Sequence, residues 1–347
     1  MFTALLEKLQ RHEDLTTDEA AKAMGAIMDG LAAPAHIAGL LVALRLKGER
    51  PHEIVGFARA MRQRSVRLSR PFERVFDTCG TGGDNAGTFN VSSVVALVVA
   101  ACGVTVAKHG NRSVSSRCGS ADLFEALGVN VAAPPEIVER CLAEAGVAFF
   151  FAPTFHPSMR HAAPVRRDLG IRTAFNLLGP LTNPAVAARQ LVGVPRPELT
   201  ELVARALGLL GSERAWVVHG ADGLDEISTT GYTKVSEFKN GHVRTFHVHP
   251  TDFGLRKAAP EELRGGDAKE NAVIVRRVLE GGPGAPRDIV LLNAGASLFI
   301  AGVVDSVADG IAAAARTLDE GAARKRLEMM VNASQAAEQQ GHAGGRG

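Results

Sequence analysis

Neither sign of charge dominates this chain of 347 residues: 39 Lys and Arg stand against 37 Asp and Glu, a formal net charge of +2. That balance removes the bulk electrostatic case for nucleic acid or an anionic membrane as partner, so any anion site has to be built locally. Long apolar runs are missing too. VVALVVAACGV, residues 94–104, falls well short of the roughly 20 residues that cross a bilayer. The opening MFTALLEKLQRHEDL carries charge where an export signal would be apolar, and reads as an amphipathic helix. A cytoplasmic protein without a membrane partner is expected. Cysteine is scarce: Cys79, Cys102, Cys118 and Cys141 form no C-x-x-C pair, which argues against a structural zinc site or a dense disulfide frame and leaves buried thiols as the expectation.

What the chain does hold is enough apolar sequence, 46%, for a large buried core. The first 65 residues read as three or four helices without a strand. Thr16 and Glu19 have capping-box spacing, Pro34 and Pro51 suit first helical positions, and Lys47-Gly48 ends a helix. The polar stretch 64–73 is a candidate linker. An alternating rhythm follows: RVFDTC as strand, a glycine loop, a helix over 91–102 that is apolar all round, VTVAKHG as strand, SADLFEALG as helix, VNVA as strand and PPEIVERCLAEAG as helix. This pattern predicts an α/β fold with a mostly parallel sheet, the all-apolar helix buried against it. Residues 148–185 break the rhythm with turn residues and arginines. The segment from about 155 to 185 is expected to pack back onto a helical unit of residues 1–70, leaving 71–154 and 186–335 as the α/β unit, a cleft between the two, and 336–347 as a disordered tail.

CGTGGDNAGTFNVSS, residues 79–93, joins a strand to a helix, an arrangement that aims free N–H groups at an anion. Its spacing rules out two common versions. Gly82 and Gly87 have Walker spacing, but Thr88 and Phe89 stand where Lys and a hydroxyl residue are required. Gly80 and Gly82 begin a dinucleotide fingerprint, yet Asn85 holds its third glycine position. The loop offers instead Asp84, Thr88, Asn90, Ser92 and Ser93, oxygen ligands and neutral donors for a phosphate and a hard cation, with helix capping by Asn90 or Ser92 as the alternative. AKHGNRSVSSRCGSADL places Lys108, His109, Asn111 and Arg112 at the end of the next parallel strand, where ligands bind in such sheets. HGADGLDEIS adds Asp222, Asp225 and Glu226 after a third strand, carboxylates suited to Mg²⁺ shared with substrate phosphate.

GTGGD, NVSS, KHGNRSVSSRCGSADLFEALGV, FHPSMRHAAPVRRDLGIRTAFNLLGPLTNP and DGLDEIS, in that order, resemble the anthranilate phosphoribosyltransferase family over the full length. The resemblance implies a small N-terminal helical domain and a larger α/β domain of the nucleoside phosphorylase and phosphoribosyltransferase type, with the active site in the interdomain cleft. It implies transfer of a phosphoribosyl group from phosphoribosyl diphosphate to anthranilate, Mg²⁺ as cofactor and a homodimer. By the same resemblance phosphoribosyl diphosphate meets Gly80, Gly83, Asp84, Thr88, Asn90, Val91, Ser92, Ser93, Lys108, His109, Gly110, Asn111, Arg112, Ser113, Val114, Ser115, Ser116 and Ser120. Anthranilate meets Gly80, His109, Asn111 and Arg166, and the metal meets Ser92, Asp225 and Glu226. No dedicated general base is assigned. Arg167 and Arg172 are expected as ion-paired structural groups. Tyr232 stands where the family more often has proline, which leaves the turn's conformation open. A pyrimidine nucleoside phosphorylase is the nearest rival and a nucleic-acid-binding relative the next; KHGNR and RRDLGIRTAFNLLGPLTNP argue against the first, the retained acid pair and near-neutral charge against the second.

Overall fold

The computed structural model describes residues 1–84, 86–113 and 117–343, with backbone only for 336–343. Four helices open the chain: α1 (Phe2–Gln10), α2 (Thr17–Met28), α3 (Pro34–Lys47) and α4 (Pro51–Gln63). Thr16 Oγ1 accepts from the Glu19 N–H and Glu19 Oε2 from the Thr16 N–H at 2.7 Å, the reciprocal cap that the spacing predicts. Both prolines stand in the first turn, where a missing N–H breaks no helical bond. Gly48 ends α3 at φ 88°, a conformation that costs glycine little. The buried Lys47 ammonium then ties α3 to its neighbours through Asp14 at 2.7 Å and Glu53 at 3.1 Å.

The α/β part begins with β1 (Phe76–Gly80), α5 (Val91–Ala101), β2 (Val106–Gly110), α6 (Ser120–Ala126), α7 (Pro135–Ala145) and β3 (Val147–Phe151). One expected strand is absent: VNVA at 129–132 is loop and turn. Val129 and Val131 are 4% and 3% exposed, so their alternation reflects a loop plugging the core, and the Asn130 N–H donates to Ser334 Oγ instead of a ladder. The third strand is VAFFF. Phe149 joins the core on one face and Phe150 that on the other, and a strand covered on both faces loses the alternation by which strands are recognised. The break in rhythm therefore begins at Ala152, four residues later than expected. It comprises α8 (Ala152–Phe155), a 3₁₀ turn at Pro157–His161, α9 (Ala163–Leu169) and α10 (Phe175–Leu178). Val165, Phe175, Leu177 and Leu178 share one apolar cluster with Ile37, Leu41 and Phe57 of the N-terminal helices.

The chain continues through β4 (Arg189–Gly193), α11 (Leu199–Leu209), β5 (Arg214–Gly220), the antiparallel pair β6 (Thr233–Lys239) and β7 (His242–Val248), then α12 (Ala268–Leu279), α13 (Ala285–Ala301), α14 (Val307–Asp319) and α15 (Ala322–Ala343). The last helix runs on into the expected tail. Ala336 to Gln340 are good helix formers and carry α15 on to Ala343, while 344–347 lie outside the described residues.

The seven strands run in the order β3-β2-β1-β4-β5-β6-β7, the first five parallel and the last two antiparallel. Val94 to Val99 of α5 are fully buried between the sheet and α13 to α15. On the opposite face Val192, Ala215 and Val217 meet α11 and the N-terminal helices. From β1 the chain builds outward through β2 and β3, then returns to the other side of β1 as β4. Such a reversal opens a crevice at the carboxyl ends of β1 and β4.

Candidate active site

A cavity of about 870 Å³ occupies that crevice and continues to the 152–182 segment. Gly80, in register with Gly193 at the ends of β1 and β4, lines it. A Cβ on Gly193 would overlap the Asp225 carbonyl and one on Gly80 the Asp225 carboxylate, so two bare strand ends admit the acidic loop between β5 and β6. That loop is closed by the Tyr232 carbonyl accepting from the Ala221 N–H at 2.8 Å, while the Tyr232 ring stands outside on His249, 4.7 Å between centroids. The turn thus forms with tyrosine in place of proline.

Asp225 Oδ2 accepts from the Gly82 N–H at 3.1 Å, and Glu226 Oε1 from the Ser92 N–H at 3.1 Å, in the first turn of α5 where the helix dipole favours negative charge. Burial, then repulsion from Asp84 and between the two acids, raises both carboxyls well above their ordinary range. Among the described residues no three His, Cys, Asp or Glu side chains enclose a metal position. Two crowded carboxylates and the neighbouring Ser92 hydroxyl form an all-oxygen set that a hard dication would relieve, provided that other oxygens complete its shell.

Gly82, Gly83 and Gly87, which line the cavity, take φ of 66°, 76° and 66° and curl the loop. Residues 263–265 clamp it: Phe89 N–H to the Leu263 carbonyl at 3.3 Å, and Gly265 N–H to the Gly87 carbonyl at 2.9 Å. Thr88 bridges to Arg264 in the same clamp. Asn90 is not a side-chain cap. Its Nδ2 donates to the Cys118 carbonyl at 3.2 Å, and its Oδ1 accepts from Asn271 Nδ2 at 3.0 Å, so it braces the loop against the neighbouring strand-end loop and α12. Ser92 caps nothing through its side chain either. Val91 is buried at the start of α5, while the Ser93 hydroxyl is buried beside the cavity without a partner among the described residues.

At the end of β2, Lys108 is 2% exposed and lines the cavity; among the described residues it forms no ion pair, only a 3.5 Å contact with the His109 carbonyl. Buried Asp77 lies below, accepting from Asn183 Nδ2 at 2.8 Å and the His109 N–H at 3.3 Å. Gly110 lets Ser120 and Phe149 approach the chain closely. Arg112 is held by the chain's own acids, Asp122 at 2.9 Å and Glu125 at 2.8 Å. Asp122 also accepts from the Ser113 and Gly119 N–H groups, which folds the loop back over α6. Asn111 Oδ1 accepts from the Arg112 N–H, and the Ser120 hydroxyl reaches the Asn111 carbonyl. Val114, Ser115 and Ser116 lie outside the described residues.

The facing wall carries Arg166 from α9. Its guanidinium stacks over Phe175 at 5.0 Å and has no acidic partner among the described residues, and burial lowers its pKa. Met61, Met159, Phe175 and Leu178 give this wall an apolar, plate-like character. His109 Nδ1 lies 3.0 Å from the Gly179 carbonyl, and its ring centroid 5.3 Å from that of His156. Burial is the main cause that brings the two pKa values down, to about 3 and about 4, so both rings are neutral; each leaves Nε2 buried without a partner among the described residues. Sequence reasoning misses His156, which sits in a proline-rich stretch without periodicity and meets His109 only through the fold. Arg172 corrects an expectation. It forms no ion pair among the described residues, lies against Gly83 near Asp84 and Asp225, and keeps Nη2 buried and unpartnered in the cleft. Arg167 is exposed on the outer side of α9.

Residues 3–65 match the model of the glycosyl transferase family helical bundle domain, and residues 73–324 that of the glycosyl transferase family a/b domain. The anthranilate phosphoribosyltransferase of Moorella thermoacetica is 55% identical over 331 residues, covering 95% of this chain and 98% of the relative; that of Desulfatibacillum aliphaticivorans is 52% identical, covering 96% and 99%. The crystal structure of anthranilate phosphoribosyltransferase from Thermus thermophilus superposes with a TM-score of 0.89 at 48% identity, over 95% of this chain and 99% of the other. The Saccharomyces cerevisiae enzyme in complex with PRPP and Mg gives 0.88 at 28% identity, over 96% and 98%. With both family models matched in order and close relatives aligned from end to end, this chain belongs to the anthranilate phosphoribosyltransferase family.

Proposed function

We propose that this chain transfers the 5-phosphoribosyl group of phosphoribosyl diphosphate to the amine of anthranilate, giving N-(5-phosphoribosyl)anthranilate and diphosphate in tryptophan biosynthesis. The observation that carries the reading is the opposition across one cavity of two unlike walls. One is a curled glycine loop with Lys108, Asp225 and Glu226; the other is an apolar plate around Arg166, a cation without an acid of its own. The first suits a sugar diphosphate and the second an aromatic carboxylate.

Loss of diphosphate from the anomeric carbon builds positive charge on the ribose and negative charge on the leaving group. Fixed amides of the loop and Lys108 act on that negative charge as it grows, without reorganising. Mg²⁺ held by Asp225, Glu226 and Ser92 together with substrate oxygens supplies further neutralisation of the diphosphate. Arg166 presents a planar, two-pronged partner to the anthranilate carboxylate, which turns the neutral amine and its lone pair toward the ribose. No protein nucleophile is needed, and orientation is the protein's principal contribution. The neutral rings of His109 and His156 line the acceptor side without being assigned as a general base.

The same reading takes residues 1–70 with 155–185 as one unit closing over 71–154 with 186–335, in a homodimer that works in the cytoplasm. Among the described residues no helix is long and apolar enough to cross a membrane. A fluorescence time course with anthranilate, phosphoribosyl diphosphate and Mg²⁺ tests the activity: loss of anthranilate signal only in the complete mixture, with diphosphate released in step, is expected. Phosphorolysis of thymidine, or salt-dependent binding of single-stranded DNA without turnover, would replace it. A monomer in sedimentation equilibrium would remove the dimer.

A further inference from the structure

Among the contacts that tie the acidic loop to the body of the α/β part is a buried side chain outside the cavity lining. Asn293, in the middle of α13, is wholly buried. Its Oδ1 accepts from the Ile227 N–H at 2.9 Å and its Nδ2 donates to the Ile227 carbonyl at 2.8 Å, with a second donation to the Ile289 carbonyl of its own helix at 2.9 Å. The amide thus takes the place of a neighbouring strand for a single loop residue, and that residue immediately follows Glu226. The other internal bonds of the loop run within it: Asp222 Oδ2 accepts from Ser228 Oγ at 2.6 Å and from Thr230 Oγ1, and Thr233 Oγ1 accepts from the Ser228 N–H at 2.9 Å. These bonds shape the loop; besides Asn293, the Ala258 N–H donating to the Thr229 carbonyl at 2.9 Å and the Gly82 and Ser92 N–H groups on the two carboxylates hold it from outside, and only Asn293 grips the backbone of the residue next to Glu226 among the described residues. Helix α13 also packs along α5, whose first-turn N–H holds Glu226. Asn293 therefore references Glu226 and Asp225 to the helix that carries Ser92.

We propose that Asn293 is a positioning residue for the metal and diphosphate site, holding Ile227 so that both carboxylates converge on one cation. The proposal rests on the assignment of Asp225 and Glu226 to Mg²⁺. Without the amide, Ile227 keeps two buried polar groups unsatisfied, and the loop regains hydrogen bonds only by shifting. Such a shift weakens capture of the metal–diphosphate unit while leaving the Arg166 wall untouched.

The test compares Asn293→Leu and the less disruptive Asn293→Asp with Ser297→Ala, which removes a buried hydrogen bond to the Asn293 carbonyl one turn along the same helix. Calorimetry measures binding of phosphoribosyl diphosphate in saturating Mg²⁺ without anthranilate; steady-state rates give half-saturating Mg²⁺ and KM for anthranilate. Asn293→Asp, which keeps an acceptor for the Ile227 N–H, is expected to lose about tenfold in calorimetric affinity from one buried hydrogen-bonding site left unmade, Asn293→Leu, which leaves both unmade, at least as much, and both to need correspondingly more Mg²⁺. KM for anthranilate stays within twofold, and Ser297→Ala retains wild-type affinity. If Asn293→Leu does not fold, Asn293→Asp decides. Unchanged affinity in a folded Asn293 variant, or an equal loss in Ser297→Ala, overturns the proposal. The metal assignment is judged separately: if Asp225→Asn with Glu226→Gln also leaves affinity and Mg²⁺ requirement unchanged, that assignment has failed and the positioning role falls with it.

Discussion

Replacing Arg166 by alanine separates the two walls of the cleft. The guanidinium is largely buried over Phe175 and forms no native ion pair among the described residues, so its removal breaks no salt bridge. Thermal stability should change by no more than about 1 kcal/mol, because the cation–π contact with Phe175 and the desolvation of the charge work in opposite directions. Binding is another matter. A charge-assisted pair with a carboxylate contributes about 1.5–3 kcal/mol, and each 1.4 kcal/mol is about tenfold. Anthranilate KM should therefore rise on the order of 10- to 150-fold, whereas KM for phosphoribosyl diphosphate, held at the strand ends, should move by no more than about threefold on the same reasoning. Arg166→Lys keeps the charge but loses the two-pronged geometry, and should recover only part of the loss. Initial rates from anthranilate fluorescence, with each substrate varied at saturation of the other, read all four quantities. Equal increases in both KM values, or a loss of folding that accounts for the activity, would refute the carboxylate anchor.

The combination Asp225→Asn with Glu226→Gln should raise half-saturating Mg²⁺ at least tenfold, since each neutralised ligand removes a charge-assisted contact; titration of activity against free Mg²⁺ checks it. The same double variant exposes a pH effect that the acids mask. His109 and His156 have folded pKa values of about 3 and about 4, against about 6.5 unfolded. Between those limits the unfolded chain binds more protons, so stability rises with pH from about 4 to 6.5 and is full above that, by up to about 1.4 kcal/mol per unit for each histidine. The raised carboxyls of Asp225 and Glu226 work in the opposite sense, since they hold protons that the unfolded chain has released. Urea unfolding of the metal-free double variant at pH 4.5, 5.5 and 6.5 should show the rise, and the wild-type protein a flatter profile; a flat double variant would mean that the rings are not buried neutral. Gly83→Ala puts a Cβ into the Arg172 guanidinium at a backbone φ of 76°, costing about 1–2 kcal/mol in conformation. It should raise KM for phosphoribosyl diphosphate. If Arg172 is what the methyl displaces, the effects of Gly83→Ala and Arg172→Ala will not add, and strict additivity would show the two to be independent.

Much of the fold was legible because single residues report local conformation. Thr16 with Glu19, the prolines at 34 and 51, and Gly48 mark helix ends by mechanisms confined to one turn of chain. Failures came where local pattern and burial part company. VNVA alternates like a strand because a loop uses two valines as plugs, whereas VAFFF, apolar throughout, is the strand because both its faces are covered. Residues 336–343 are polar and glycine-bearing in sequence, yet extend a helix that began fourteen residues earlier, at Ala322. Nothing in an eight-residue window conveys that its helix has already been nucleated.

The site was legible to a different degree on each wall. At the strand ends, the parallel sheet brings the loops after β1 and β2 side by side, and the loop after β5 reaches them across β4 because Gly193 and Gly80 leave room for Asp225. The opposite wall has no such rule. Arg166 and Arg172 come from a short helix and a turn beside Val165 and Phe175, which pack against residues more than a hundred positions earlier, such as Ile37 and Phe57, and His156 follows Phe155, which packs on Phe150 of β3. From sequence, an arginine in GIRT is as reasonably a structural ion pair as a ligand group. The accounting of partners differs from the expectation: Arg112, which lines the cavity, pairs with Asp122 and Glu125, whereas Arg172, expected to be ion-paired, has no ion pair among the described residues. A cation's neighbours in the fold, more than the motif that carries it, determine whether its charge is available to a substrate.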